Sequence, residues 1–177
     1  MADIWVCVNG ADGALRQVTG EMLGAARGMA DASGAGVACV LYNDEEGRHA
    51  PELAALGADR VLSVAASGAS VAPEVLARTL ANLAREAAPA AILLADGAEA
   101  RAVAPALAED MGAPLVCDVT AIEPGSPAVY TRLPYTGKVV ERLAAPDAAT
   151  VVVTVRPRAL APAEPDASRT CPVASVP

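Results

Sequence analysis

The stretch Pro89–Glu123, PAAILLADGAEARAVAPALAEDMGAPLVCDVTAIE, decides the fold. Ala91–Ala95 is a continuous apolar run too short for a helix, the mark of a strand buried on both faces. Asp96-Gly97 turns the chain. Val103, Leu107 and Met111 then recur at helical spacing, and Gly112 ends the helix. Leu115–Ile122 returns to an apolar strand pattern. Strand, helix and strand in this order form a crossover unit with parallel strands.

The alternation extends outward in both directions. Ile4–Val8 is a buried strand and Asn9-Gly10-Ala11-Asp12-Gly13 a turn. A helix carries Val18, Met22, Ala25, Ala26 and Met29 on one face, with Thr19 as its expected N-cap and Gly34 as its stop. Val37–Tyr42 is a second strand, Asn43–Arg48 a charged loop, Pro51–Leu56 a short helix closed by Gly57, and Arg60–Val64 a third strand. Pro73 opens a helix whose inner face is Val75, Leu76, Thr79, Leu80, Leu83 and Ala87. Beyond Glu123 the pattern changes. Val129–Leu133 and Val139–Leu143 read as antiparallel strands around Pro134–Lys138, and Thr150–Val155 as a last strand. The predicted class is α/β: a doubly wound, mainly parallel, Rossmann-like sheet with a C-terminal antiparallel hairpin and strand. Residues 1–157 form the domain. Residues 158–177, rich in Pro and Ala, read as a linker or tail.

Composition narrows the function. The chain has 177 residues, 13 Lys+Arg against 21 Asp+Glu, and a net charge of −8. That balance argues against nucleic acid as the main partner. Aromatic residues are only 2% and Phe is absent, so the core must be built from Ala, Val and Leu. No apolar run approaches the roughly 20 residues of a spanning helix, so membrane insertion is not expected. No signal peptide is visible at Met1-Ala2-Asp3. Cys7, Cys39, Cys117 and Cys171 lie far apart and fit neither a zinc pattern nor a disulfide framework, which suits a cytoplasmic thiol state.

Parallel sheets bind ligands beyond the carboxyl ends of their strands, where strand order reverses. The segments to search are Asn9–Gly13, Tyr42–Arg48, Ala65–Ser70, Ala95–Arg101 and Asp118–Glu123. Asn9–Gly13 matches no glycine-rich phosphate motif and reads more readily as a plain turn than as a phosphate cradle. Arg101 stands in the first turn of a helix, against the dipole. It serves either a ligand or a simple pairing with Asp96 or Glu99. Pro105 removes an amide from the start of that helix. Asp118, a carboxylate in an apolar strand, needs partners. Cys117, Cys7 and Cys39 read as buried structural thiols. His49 is the only histidine and has no nucleophile placed to use it. Asp44-Glu45-Glu46 reads as a solvated acidic loop. No metal-ligand spacing and no catalytic set is legible, so a carrier subunit or scaffold is expected rather than an enzyme. The candidate cleft is Arg101, Asp118, Tyr135 and Lys138, expected to meet at one end of the sheet.

Several segments together resemble a known family. Val18-Thr19-Gly20-Glu21-Met22-Leu23-Gly24-Ala25-Ala26-Arg27 is similar to the first helix of electron transfer flavoprotein alpha subunits, with its Thr-x-Glu-Leu-Leu-Gly-x-Ala-Arg pattern. Gly57-Ala58-Asp59-Arg60-Val61 resembles their Gly-Ala-Asp-Lys-Val strand entry. Within Pro89–Glu123, Arg101, Ala104-Pro105-Ala106-Leu107-Ala108 and Cys117-Asp118-Val119-Thr120 resemble a Gly-Arg-Asp-Leu-Ala-Pro-x-Leu-Ala to Asp-Cys-Thr-x-Leu-Glu stretch. Leu133-Pro134-Tyr135-Thr136-Gly137-Lys138 resembles an Arg-Pro-x-Tyr-Gly-Gly-Asn turn, and Thr154-Val155-Arg156-Pro157 a Thr-Val-Arg-Pro-Gly stretch.

The resemblance implies the N-terminal, nucleotide alpha hydrolase-like domain of such a subunit. It implies a heterodimer with a beta subunit, and FAD held by a separate C-terminal domain. It implies electron flow from acyl-CoA or other dehydrogenases to a quinone reductase. The family's FAD domain, with its Ser-Gly-x-x-Gln-His region, has no counterpart here, so this chain alone is expected to bind no FAD. Arg158, Lys138 and Gly97-Ala98-Glu99-Ala100 also depart from the pattern. The competing reading is a stand-alone adenine-nucleotide-binding domain similar to universal stress proteins. A small enzyme using Arg101, Asp118 and Tyr135 is a third.

Overall fold

The computed structural model describes residues 2–11, 14–44, 47–64 and 72–176. Strand β1, Ile4–Asn9, sets the plan. Successive side chains of a strand point to opposite faces. Ile4, Val6 and Val8 therefore enter one buried cluster, and Trp5 and Cys7 enter the other. β2 (Val37–Tyr42) and β4 (Ala91–Ala95) split in the same way. A strand that is apolar on both sides has to be covered on both sides, as the continuous apolar runs require.

Four helices supply most of the cover. α1 (Gln17–Ser33) packs on one face with Met22, Leu23, Ala26 and Met29. α3 (Pro73–Ala87) and α4 (Ala98–Met111) pack on the other. Their inward rows are Leu76, Ala77, Leu80, Ala81 and Ala84, facing Ala100, Val103, Ala104, Leu107 and Ala108. These alanines let the two helix backbones approach closely, and burial of small side chains replaces the missing aromatics. α2 (Ala50–Ala55) is a short helix that buries Leu53.

The remaining strands are β3 (Arg60–Val64), β5 (Leu115–Glu123), β6 (Val129–Arg132), β7 (Glu141–Leu143), β8 (Val151–Val155) and β9 (Val173–Val176). The described residues form one sheet in the order β7-β6-β5-β8-β4-β1-β2-β3-β9. Only the β5–β6 and β6–β7 pairs are antiparallel. β8 enters between β4 and β5, parallel to both. The doubly wound α/β architecture with an antiparallel hairpin is therefore present as expected.

Four details differ from the sequence reading. Val75 and Ala87, expected on the inner face of α3, are exposed, and Leu76, Ala77, Leu80, Ala81 and Ala84 carry that face instead. Thr19 does not cap α1. The helix cap lies three residues earlier, at Arg16, with no side-chain cap bond, and Thr19 is buried within the helix. Pro105 leaves α4 continuous from Ala98 to Met111. It lies on the exposed side, where the carbonyl freed by its missing amide can reach water. The residues after Pro157 also carry structure that their composition hid. They cross α1 and α2 and end in β9, which pairs with β3.

The crossing depends on backbone contacts. The Ala163 amide donates to the Gly20 carbonyl at 2.9 Å, and the Asp166 amide to the Ala55 carbonyl at 2.8 Å. A Cβ on Gly24 would stand 2.9 Å from the Ala161 carbonyl oxygen and 3.0 Å from the Ala163 nitrogen. A Cβ on Gly20 would meet only side-chain atoms, the nearest at 3.7 Å. Gly24→Ala should thus force the crossing strap outward and cost about 1–3 kcal/mol, as overpacking does. Gly20→Ala should be neutral or stabilise by up to about 1 kcal/mol through helix propensity. Denaturant melts of the two variants, with hydrogen exchange at the Ala163 amide, separate these outcomes.

Candidate functional site

Strand order reverses between β1 and β4. β1 leads to β2 on one side, while β4 is followed by β8 and β5 on the other. Beyond the carboxyl ends of these strands lies a crevice of about 250 Å³, lined by Cys7, Asn9, Arg16, Tyr42, Gly97 and Glu99 among others. This is where a ligand of this architecture would sit.

The crevice is furnished by the chain's own side chains. Asn9 ends β1, Tyr42 ends β2, and Glu99 lies in the first turn of α4. The Tyr42 hydroxyl donates to Glu99 Oε2 at 2.8 Å. Asn9 Nδ2 donates to Glu99 Oε1 at 3.1 Å. The Asn9 side-chain oxygen in turn accepts from the Ala11 amide at 3.1 Å and from Asn43 at 3.3 Å. A helix N-terminus attracts an anion through its free amides and dipole; here the Glu99 carboxylate stands in the first turn without capping an α4 amide. Burial, followed by the Glu99 charge, raises the Tyr42 phenol far above its ordinary value. The same two causes push the Cys7 thiol up to about 12, so it is an inert structural thiol.

FAD does not fit this crevice. Cofactor pockets typically occupy about 300–1,000 Å³, more than the 250 Å³ present. A dinucleotide pyrophosphate would also meet the Glu99 carboxylate where it needs amides and cations.

A second cluster surrounds Asp118. Three steps along β5, from Val116 to Val119, oppose two along β8, from Val153 to Val155. The extra residue makes a bulge, and Asp118 takes a φ of 59° there. Its amide donates to Thr154 Oγ1 at 2.9 Å. Its carboxylate accepts two bonds from the Arg156 guanidinium, at 2.8 and 2.5 Å. The partner required of a carboxylate in an apolar strand is therefore Arg156, which the sequence reading did not name. Arg101 pairs weakly with Asp96, at 3.4 Å, and stays largely exposed. Cys117 is only half-buried, unlike the fully buried thiol expected. Burial nevertheless pushes its thiol up.

Of the four candidate cleft residues, Arg101 and Asp118 lie near enough to favour one another's charged state. Tyr135 and Lys138 stand exposed on the hairpin between β6 and β7. Among the described residues, no side-chain hydrogen bond or ion pair ties either of them to Arg101 or Asp118.

His49 and Asp44 form a pair that sequence reasoning missed. His49 Nδ1 lies 2.6 Å from Asp44 Oδ1, and the Asp44 side chain is fully buried. Asp44 is thus not part of a solvated loop, while Glu45 and Glu46 lie outside the described residues. So do Asp12, Gly13 and Ala65–Ser70. A Cβ on Gly10 would meet Asp44 Cβ at 2.6 Å, so glycine is needed for that approach. Asp44 of this pair packs against Gly10, just beyond β1. Among the described residues, no group of three His, Cys, Asp or Glu side chains could hold a metal.

Two predictions follow from this chemistry. Hydrogen bonds from Arg156 hold the Asp118 carboxyl below the usual carboxylate range. A depressed folded-state value contributes stability above the unfolded value, near 3.9, which is lost as pH falls through the folded value. Asp118→Asn, which tolerates the same backbone conformation, should melt below wild type at pH 7. The gap should narrow as pH falls through the folded-state value of Asp118, below that of an unfolded aspartate. In an alkaline absorbance titration, Tyr42 should be the last phenol to ionise. Glu99→Gln should bring that step to lower pH, and Tyr42→Phe should remove it.

A family model for the electron transfer flavoprotein domain matches residues 4–177. The chain is 29% identical over 151 residues to the electron transfer flavoprotein subunit alpha of Methylophilus methylotrophus, covering 85% of this chain and 47% of that protein. It is 31% identical over 158 residues to the subunit alpha of Thermoanaerobacterium thermosaccharolyticum, covering 88% and 48%. For Syntrophomonas wolfei the figures are 32% over 151 residues, covering 81% and 44%. The chain thus spans about half the length of these relatives. No helix among the described residues is long and apolar enough to cross a membrane. With the doubly wound fold, these matches establish that the chain belongs to the electron transfer flavoprotein family, as a domain similar to the N-terminal part of its alpha subunits.

Proposed function

We propose that this chain is the scaffold and docking domain of an electron transfer flavoprotein alpha subunit. It holds a beta-type subunit, while FAD is carried by a different polypeptide segment. Electrons from acyl-CoA or other dehydrogenases pass through that flavin to a quinone reductase or similar acceptor. The observation that carries this reading is the Asn9–Glu99–Tyr42 network, which lines the switch-point crevice with a carboxylate and its own hydrogen-bond donors. A domain built to hold a nucleotide would keep carboxylates away from the start of α4. The adenine-nucleotide-binding alternative places a phosphate at that helix start, where the Glu99 carboxylate would repel it.

Co-expression with a beta-type subunit tests the proposal. The expected result is a 1:1 complex that survives size-exclusion chromatography. Failure of the two chains to co-elute would remove the docking role.

A further inference from the structure

We propose that the switch-point crevice binds a small zwitterion, an α-amino acid with an apolar side chain, with its ammonium group on Glu99 and its carboxylate on Arg16. This binding is separate from the proposed docking role and needs no partner subunit.

The crevice carries two opposite charges that do not satisfy each other. Arg16, at the start of α1, and Glu99, in the first turn of α4, both line it. Both act on the same phenol: burial and the Glu99 charge raise Tyr42, and the Arg16 charge works against that rise. Yet no ion pair joins Arg16 to Glu99, and neither has another ion-pair partner among the described residues. Glu99 accepts side-chain hydrogen bonds only from the neutral donors Tyr42 and Asn9. A carboxylate has about four lone-pair sites, so it keeps the capacity to accept from a cation. A half-buried charge without a counter-charge is costly, and a ligand that brings one recovers that cost.

The receiving groups are held in place. Tyr42, only 4% exposed, fixes Glu99 Oε2 at 2.8 Å, and Asn9 fixes Oε1 at 3.1 Å. The carboxylate is thereby oriented before a ligand arrives, which lowers the ordering cost of binding. Thr19, buried as deeply as Tyr42, lines the same crevice, and its hydroxyl makes no hydrogen bond among the described residues. Val18, Met22 and Leu94 supply apolar wall. Small-molecule sites combine such walls with a few placed polar groups.

Size and charge together select the ligand. A volume of about 250 Å³ suits a molecule of amino-acid size better than a dinucleotide. A phosphate would face the Glu99 carboxylate, and a simple amine would face the Arg16 guanidinium. A zwitterion meets the opposite charge at both ends, and an apolar side chain matches the wall.

The test titrates the isotope-labelled chain with L-leucine and follows the amide resonances of Asn9, Tyr42 and Glu99 by NMR. Saturable shifts are expected at these amides below about 10 mM ligand. Glu99→Gln and Arg16→Gln should each weaken binding by about tenfold or more, since each removes a charge-assisted bond. Isopentylamine, which lacks the carboxylate, and isocaproate, which lacks the ammonium group, should bind at least about tenfold more weakly than L-leucine. Arg16 is exposed, so its variant keeps the test valid if Glu99→Gln fails to fold, and melting curves verify both. Absence of saturable shifts at the crevice amides in the wild-type chain overturns the proposal. Undiminished binding in the folded variants overturns it too, as does an amine or acid that binds as tightly as L-leucine. None of these results touches the docking role, which co-elution with a beta-type subunit decides.

Discussion

The switch-point crevice is organised by a single carboxylate. Glu99 sits at the start of α4, where the backbone favours an anion, and receives hydrogen bonds from Tyr42 and Asn9. Three elements that carry no contiguous sequence, β1, β2 and α4, are thereby tied together at the end of the sheet where this architecture takes its ligands. Glu99 caps no amide of α4, but its charge at the helix start opposes a second anion there. In the proposed role, this carboxylate is what lets a nucleotide-binding architecture serve as a support.

The rest of the molecule is consistent with a supporting role. Its core is divided into two layers of small aliphatic side chains, one on each face of the sheet. Alanines between α3 and α4 and the bare backbone at Gly24 allow close approaches that larger residues would prevent. The strap from Pro157 onward is bound by such an approach and then adds β9 to the far edge of the sheet, beside β3. Its ion pair, Arg169 with Asp59, joins a second one from Arg27, so one carboxylate links the strap to α1. At the opposite edge the hairpin keeps its apolar tip exposed. Among the described residues the sheet thus ends in β9 on one side and in the hairpin strand β7 on the other.

Much of this was legible in the residues. Continuous apolar runs at Ile4–Val8, Val37–Tyr42 and Ala91–Ala95 signalled strands buried on both faces, and glycines at 34 and 112 marked real helix ends. The need of Asp118 for a partner was also visible, because an unpaired carboxylate in an apolar strand is costly. The partner itself was not, since Arg156 reaches Asp118 only through the pairing of β5 with β8. The Asp44–His49 pair was hidden for a related reason. A run of acids looks solvated, yet Asp44 is buried against His49. β9 was missed because its few apolar residues follow a Pro-rich stretch, and only the free edge of β3 makes them a strand. Glu99 was noted as a departure from the family pattern, but its role depends on Tyr42, which lies 57 residues away. Local patterns yielded the elements, whereas long-range hydrogen bonds determined the site.

Equilibrium dialysis of the purified chain against FAD and against AMP, with Glu99→Ala in parallel, tests the central claim most directly. The account predicts no saturable uptake of either ligand by the wild-type chain at concentrations up to its own stoichiometry. Stoichiometric binding of FAD or AMP to the wild-type chain, abolished by substitutions lining the crevice, would contradict it.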